Sequence, residues 1–121
     1  MPASPSIDDL MAQDFGTFAD LIRAQAAVRA DKPALIDARR TVTYGELDAL
    51  MDRVACALQR DGVRQAEVAA ICATSSVEYG VAFAGILRAG AIVAPLAPSS
   101  TPESLVVQLK DCGAKLFFLV Q

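Results

Sequence analysis

The chain has 121 residues, of which 54% are hydrophobic, and its formal net charge is −3. These values fit one domain-sized unit with a large apolar core, and the shortage of basic residues argues against a nucleic-acid partner. The sequence contains no histidine, which removes the commonest general base and the commonest zinc ligand.

The cysteines predict neither a metal site nor a redox site. Cys56, Cys72 and Cys112 are widely spaced, and no CxxC pair occurs. Each lies in an apolar run, so we expect all three to behave as small hydrophobic residues. The N-terminal residues lack the basic and apolar regions of a signal peptide, and we therefore expect a reduced, cytoplasmic setting.

The first part of the chain is predicted to contain an arm and a helix. Residues 1–16 should form a flexible N-terminal arm, because prolines, serines and acidic residues separate only short apolar patches. Thr17 has the position of a helix N-cap with Asp20 three residues later, and the helix should end near Ala30. Its apolar face is predicted to carry Phe18, Leu21, Ile22 and Val28.

A hairpin and a longer helix are predicted next. The strands 34–37 and 40–43 flank a turn at Ala38-Arg39. Thr43 and Glu46 form a capping box that begins the clearest amphipathic helix of the chain, which ends at Gly62. The polar side chains of this helix are predicted to lie on a solvated surface; they are Asp48, Asp52, Arg53, Gln59 and Arg60.

From residue 67 onward the pattern changes to buried strands and helices. The apolar run at 67–73 is typical of a strand buried on both faces, as in a parallel sheet. Ser75 and Glu78 fit another capping box, which predicts a helix over 77–89. Gly90 is predicted to end this helix.

Two further elements complete the pattern. A strand at 91–94 should close at Pro95, and a helix should begin with Ser100 or Thr101 as its cap. A buried strand is predicted at 115–121. The inward face of the last helix should carry Leu105, Val106, Leu109 and Cys112.

The order of these elements predicts the α/β class. An N-terminal helix and a short hairpin are followed by a βαβαβ unit with a parallel, doubly wound sheet. The window 79–97 contains one charge, at Arg88, and has the length of a membrane span. Gly90 and Pro95 interrupt this window, and Arg88 lies near its centre, so we predict no membrane span.

Five segments occur in the order and spacing of a known family. They are Thr43-Tyr44-Gly45-Glu46-Leu47, the strand at 68–73, the turn Ser75-Ser76-Val77-Glu78, the run Leu87-Arg88-Ala89-Gly90-Ala91 with Pro95-Leu96, and the helix start Thr101-Pro102-Glu103. Together they resemble the adenylate-forming (AMP-binding) enzyme superfamily. The resemblance implies that residues 17–121 are the first, incomplete part of that family's large N-terminal domain.

The resemblance also implies a chemistry for the whole enzyme. Relatives join a carboxylate to ATP, giving an acyl-adenylate and pyrophosphate, and then transfer the acyl group to a thiol. Val93 stands where peptide-synthetase domains usually have tyrosine, which favours the acyl-CoA synthetase branch. Ala97 departs from the Asp or Asn that is common in the family. ATP, Mg²⁺ and coenzyme A are implied as cofactors, with a role in fatty or aromatic acid metabolism.

No residue of this chain is assigned a catalytic, cofactor-binding or metal-binding role, because no Gly-rich phosphate loop is present. One open alternative is the loop Thr74-Ser75-Ser76, which follows a strand and precedes a helix, where parallel sheets often bind ligands. We therefore expect the 121-residue chain alone to be inactive.

The last predicted strand suggests that the chain is part of something larger. Its apolar residues need cover on both faces. The favoured interpretation is an N-terminal fragment whose partner is the rest of its own enzyme. The alternatives are a fragment of a peptide-synthetase adenylation domain, a self-contained, flavodoxin-like interaction module without catalysis, and a non-catalytic scaffold protein. Homo-oligomerisation is a further possibility, and the carboxylic acid substrate is not specified.

Overall fold

A computed structural model describes residues 6–13 and 16–119. Its helices are α1 (Ile7–Met11), α2 (Phe18–Arg29), α3 (Tyr44–Arg60), α4 (Val77–Arg88) and α5 (Pro102–Cys112), and its strands are β1 (Pro33–Ile36), β2 (Thr41–Thr43), β3 (Val68–Cys72), β4 (Ile92–Leu96) and β5 (Leu116–Leu119). The predictions made for residues 1–5, 14, 15, 120 and 121 lie outside the described residues.

Helix α1 occupies part of the segment predicted as an arm. Ser6 caps it, because its hydroxyl accepts the Asp9 N–H at 3.1 Å and the Asp9 carboxylate accepts the Ser6 N–H at 3.1 Å. The Ser-x-x-Asp pattern was a readable signal for this helix start, and its acidic fourth residue replaces the more usual glutamate.

The caps of the next two helices are confirmed. The Thr17 hydroxyl accepts the Asp20 N–H at 3.1 Å at the start of α2. At the start of α3, the Thr43 hydroxyl accepts the Glu46 N–H at 3.2 Å, and the Glu46 carboxylate accepts the Thr43 N–H at 3.1 Å. Each cap satisfies amide groups that have no partner inside the helix.

The strands form two separate sheets. Strands β1 and β2 make the predicted antiparallel hairpin. Strands β4, β3 and β5 lie in that order and are parallel, so β3 is central. Right-handed crossovers in this order place α4 and α5 on opposite faces of the sheet, which is the doubly wound arrangement predicted from the sequence.

Two apolar clusters hold these layers together. The first joins the hairpin to α2, α3 and α4, and its buried members are Ile22, Val42, Leu47, Met51, Val77 and Ala84. The second joins α3 and α4 to one face of the parallel sheet, and its buried members are Leu58, Val63, Ala69, Ile86 and Ala91. Ala69 and Ala70, whose side chains point to opposite faces of the sheet, have no exposed surface, which confirms that β3 is buried on both faces.

Several residues predicted to face the core are exposed. Phe18 and Val28 are 49% and 67% exposed, because α2 packs through Ile22 and Ala24 instead. Small alanines allow close helix contact without appearing in a pattern of large apolar residues. Val106 of α5 is also exposed, at 49%, whereas Leu105 and Leu109 of the same helix are half-buried.

The cysteines differ from one another. Cys72 is buried at the end of β3, where its thiol donates to the Ala97 carbonyl at 3.5 Å, and Cys112 is half-buried. Cys56 is exposed, so its predicted place in the apolar interior is wrong. It lies on α3 between the buried Ala55 and the half-buried Ala57, and the helical rotation turns position 56 outward.

Strand β4 continues through Pro95 rather than closing there. Pro95 pairs in register with Ile71, and the strand ends at Leu96. Because β4 is an edge strand of this sheet, a residue without an N–H is tolerated on its outer side. The strand is only half-buried, with Ile92 51% exposed. Among the described residues, no helix is long and apolar enough to cross a membrane.

Arg88 of α4 contacts both α2 and α3. Asp48 of α3, which was predicted to lie on a solvated surface, is one of its partners. The Arg88 side chain is 9% exposed and lies 2.7 Å from the Asp48 carboxylate. Its guanidinium also donates to the Asp48 carbonyl at 2.8 Å and to the Ala19 carbonyl of α2 at 3.0 Å. Asp52 lies 3.3 Å from Arg88 and 2.7 Å from the more exposed Arg23.

We expect Arg88→Met to destabilise the fold by about 3 kcal/mol, because it removes a nearly buried charge from the Asp48 carboxylate, which keeps only the longer contact from Arg23 at 3.4 Å, and removes the bonds that link α4 to the Asp48 and Ala19 carbonyls. Arg23→Met is the matched control. Its side chain is 44% exposed, and a pair of that exposure contributes at most about 1 kcal/mol. Urea unfolding of both variants measures the difference, and equal losses would contradict this account of Arg88.

Helices α3 and α4 approach each other closely at Gly85. A methyl group added there would overlap the Cβ of Val54. We therefore expect Gly85→Ala to lower the free energy of unfolding by about 1–3 kcal/mol, and Val54→Ala in the double variant to recover only the share due to the Val54 methyl groups, because alanine keeps the Cβ. Gly16→Ala, whose added Cβ would lie 3.8 Å from Gln13 Oε1, should change stability by less than about 0.5 kcal/mol.

Candidate functional site

The carboxyl ends of the parallel strands are the natural place for a ligand site. In open α/β sheets, ligands bind where neighbouring connections leave in opposite directions. Here the connection after β3 leads to β4 on one side, whereas β5 lies on the other side. The loop at residues 73–76 follows β3 at this point, so the predicted ligand-contact loop lies in the expected position.

Ser76, and not Ser75, caps the helix that follows this loop. The Ser76 hydroxyl accepts the Tyr79 N–H at 3.1 Å. The predicted Ser75–Glu78 capping box is therefore wrong by one residue. Glu78 instead forms ion pairs with the hairpin, at 3.5 Å to Arg40 and 3.8 Å to Arg39.

The Asp37 carboxylate joins the hairpin turn to the N-terminus of α4. One oxygen, Oδ2, accepts the Val77 N–H at 2.9 Å. The other, Oδ1, accepts the N–H groups of Arg39 and Arg40, each at 2.8 Å. The hydrogen bond from Val77, followed by those from Arg39 and Arg40, lowers the pKa of Asp37 below its ordinary value of 3.8.

This carboxylate occupies the position that an anion would take at the N-terminus of α4. A helix start attracts negative charge because its first N–H groups are free, and here Asp37 already accepts one of them. A cavity of about 210 Å³ lies beside it and is lined by Leu35, Ile36, Asp37, Ser75, Ser76 and Val77. That lining has one negative charge and no lysine or arginine, so it does not fit the phosphates of ATP.

The described residues offer no alternative centre for metal chemistry. Among residues 6–13 and 16–119, no three cysteine or carboxylate side chains come together in a way that could hold a metal ion. The carboxylates of this region are used in structure instead, with Asp37 on backbone amides and Asp48 on Arg88. Asp37 and Asp48 therefore join neighbouring elements of the fold.

Part of the Asp37 arrangement was readable in the sequence. An aspartate that opens a tight turn commonly accepts the N–H groups two and three residues later, as Asp37 does from Arg39 and Arg40. The bond from Val77 was not readable, because it joins residues 40 positions apart. Local pattern carries no information about such a contact.

A family model described as "AMP-binding enzyme" matches residues 22–121. The chain belongs to the AMP-binding enzyme family. The match covers the hairpin, the helices of both clusters and the parallel sheet, and it confirms the resemblance found in the motifs. The family assignment agrees with the α/β fold that the structure shows.

Named relatives in this family include both CoA ligases and peptide synthetases. A long-chain-fatty-acid–CoA ligase of Escherichia coli O157:H7 is 32% identical over 107 residues, which are 88% of this chain and 19% of the ligase. One polypeptide of the linear gramicidin synthase of Brevibacillus parabrevis is 32% identical over 93 residues, which are 77% of this chain and 2% of that polypeptide.

A solved structure supports the same assignment of fold. The anthranilate CoA ligase AuaEII, in complex with anthranoyl-AMP, superposes with a TM-score of 0.84 and 27% identity over 90% of this chain and 21% of that ligase. The chain therefore spans about a fifth, or less, of the length of these relatives.

We expect Asp37→Asn to weaken the junction between the hairpin and α4. An amide has one acceptor oxygen and carries no charge, so it cannot replace all three hydrogen bonds. Because the folded-state pKa of Asp37 is lowered, its contribution is fully present above the unfolded-state value and is lost as pH falls through the folded-state value.

The variant should therefore unfold at a lower urea concentration than the wild type at pH 7, and the gap should narrow as the pH falls to about 3. The pKa of Glu46 is also lowered, chiefly by the Thr43 N–H, but Glu46 is present in both proteins and cancels in the comparison. Asp111→Asn, at an exposed position of α5, is the control. A gap between wild type and Asp37→Asn that stayed constant with pH would contradict the assignment.

Proposed function

We propose that this chain is the N-terminal portion of an ATP-dependent carboxylic acid–CoA ligase. The whole enzyme joins a carboxylate to ATP, releases pyrophosphate, and transfers the acyl group from the adenylate to the thiol of coenzyme A. The observation that carries this proposal is the similarity, over most of the chain, to relatives named as CoA ligases for fatty, 3-hydroxybenzoic and 4-coumaric acids.

The structure of this segment supports a scaffolding role within that enzyme. Its turns and caps are occupied by internal contacts: Ser76 caps α4, Asp37 holds the same helix start, and Arg88 joins three helices. ATP, Mg²⁺ and coenzyme A are then bound by residues outside this segment. The segment's own contribution is a rigid parallel sheet, and the enzyme works in the cytoplasm on a fatty or aromatic acid.

One observation supports a second candidate for the thiol that accepts the acyl group. The similarity to the linear gramicidin synthase equals the similarity to the long-chain ligase, at 32% identity in each case. Peptide synthetases carry their acyl groups on carrier-protein thiols, so a carrier protein is the alternative acceptor. Val93 on β4, where peptide-synthetase domains usually carry tyrosine, is the residue that favours coenzyme A.

Exchange of labelled pyrophosphate into ATP tests the first half-reaction. We expect the full-length protein to show exchange that depends on a carboxylic acid, with a panel of medium-chain, long-chain and aromatic acids. The 121-residue chain should show none with the same panel, because it lacks a phosphate-binding loop. Exchange by the short chain would place catalytic groups inside this segment and overturn the scaffolding role.

The acceptor is tested separately on the full-length protein. With the best acid of the panel, coenzyme A should be consumed and an acyl-CoA formed, whereas a phosphopantetheinylated carrier protein should remain unloaded. Loading of the carrier protein without acyl-CoA formation would favour the peptide-synthetase branch. A full-length protein that shows no exchange with any acid would count against an adenylate-forming activity.

A further inference from the structure

A recess with apolar walls lies between α2, the hairpin, α3 and α4. Its volume is about 310 Å³, and the described residues that line it are Phe18, Leu35, Leu47, Tyr79, Gly80, Phe83 and Ala84. It shares Leu35 with the smaller cavity beside Asp37, but none of that cavity's polar residues. The recess is therefore a second, separate cavity with a different chemistry.

The walls of this recess are held in place by the first apolar cluster. Leu47 and Ala84 are buried members of that cluster, and Leu35 packs against it. Leu35 also lies close to Gly80, where an added Cβ would be 2.9 Å from the Leu35 Cδ1. Side chains that are packed in this way relax only partly around a cavity, so the recess should keep its volume when it is empty.

Three aromatic side chains favour a flat ring as the ligand. Tyr79 and Phe83 lie one turn apart on α4, with their ring centroids 6.2 Å apart and their planes inclined by 22°. Phe18 lies at the mouth of the recess and is 49% exposed. Aromatic rings attract one another in offset-stacked and edge-to-face arrangements, and this lining offers a further ring both kinds of contact.

The lining also favours a molecule without charge. Among the described residues around the recess none is charged, and Tyr79 is the only polar one. A carboxylate or phosphate placed there would lose its hydration without gaining a partner. The recess therefore does not fit ATP, coenzyme A or an ionised carboxylic acid.

The size of the recess favours a small molecule over a protein partner. An apolar cavity of about 150 Å³ is enough to bind benzene, so a volume of about 310 Å³ holds one or two rings. Phe18 is the one exposed residue of the described lining, and the others are buried or half-buried. A stable protein interface needs about 800 Å² of surface on each partner, which a mouth of this kind does not present.

We propose that this recess binds an uncharged aromatic molecule of one or two rings. The ligand contacts the rings of Tyr79 and Phe83 inside the recess and the ring of Phe18 at its mouth. The proposal does not rest on the proposed function, because such a molecule has no carboxylate to activate.

Photolabelling of the full-length protein tests the site. The probe is 4-azidotoluene, a neutral single ring, and the competitor is indole, a neutral molecule with two fused rings. We expect light-dependent label on the peptides that contain Phe18 or the pair Tyr79 and Phe83, and we expect excess indole to suppress it. The matched control, 4-azidobenzoate, has the same ring with a carboxylate and should label these peptides at least about tenfold less.

Absence of label from these peptides would overturn the proposal, because it would show that the recess is closed or filled by another part of the enzyme. Label that indole does not suppress would overturn it as well, since a binding site is saturable. Equal labelling by 4-azidobenzoate would contradict the preference for an uncharged ligand.

A pair of variants on α2 tests the ring at the mouth. Phe18→Ala removes one aromatic contact, and we expect the indole concentration that halves labelling of the α4 peptide to rise about 3- to 10-fold. Val28→Ala is the control, because Val28 is 67% exposed on the same helix and is not among the lining residues. The control should change that concentration by less than about twofold. Equal concentrations for the wild type and both variants would overturn the proposal.

Discussion

The buried guanidinium of Arg88 is the interaction on which the helical layer depends. It lies at the end of α4, beside the Asp48 carboxylate of α3 and the Ala19 carbonyl of α2, with only 9% of its side chain exposed. A charge in that position is tolerated because the nearby acceptors are carboxylates and carbonyl groups of α2 and α3, and because the guanidinium itself lies at the negative end of the α4 dipole. The close approach at Gly85 brings α3 within reach. Loosening either contact would separate the helices that cover one face of the sheet.

A second junction, at Asp37, determines what the carboxyl end of β3 can do. A helix start at that position in a parallel sheet is a common anion site, but here an internal carboxylate accepts the Val77 N–H. The helix start that could bind a phosphate is therefore used to join the hairpin to the sheet. The parallel sheet therefore has the architecture of a nucleotide-binding fold, but the Asp37 carboxylate already lies at the helix start that follows its central strand.

The chain matches only part of its relatives in the AMP-binding family, and the two edge strands of its parallel sheet differ from each other. The matched region is about a fifth of the length of the CoA ligases it resembles, and its sheet has one edge blocked by Pro95 and another free of proline and charge. The two edges of the parallel sheet therefore differ in chemistry, because β4 carries a proline and β5 carries only apolar residues.

The sequence by itself determined which elements form and where most of them begin and end. Caps such as Thr17 and Thr43 act through residues three positions away, and Gly90 ends a helix through its own backbone angle, with φ at +76°. The motif order also identified the family. Tertiary structure alone decided the partners of Arg88, the bond from Val77 to Asp37, the outward turn of Phe18 and Val28, and the passage of β4 through Pro95. The reason is distance along the chain: local signals act over three or four residues, whereas these contacts join residues about 40 to 70 positions apart or depend on which strand becomes an edge.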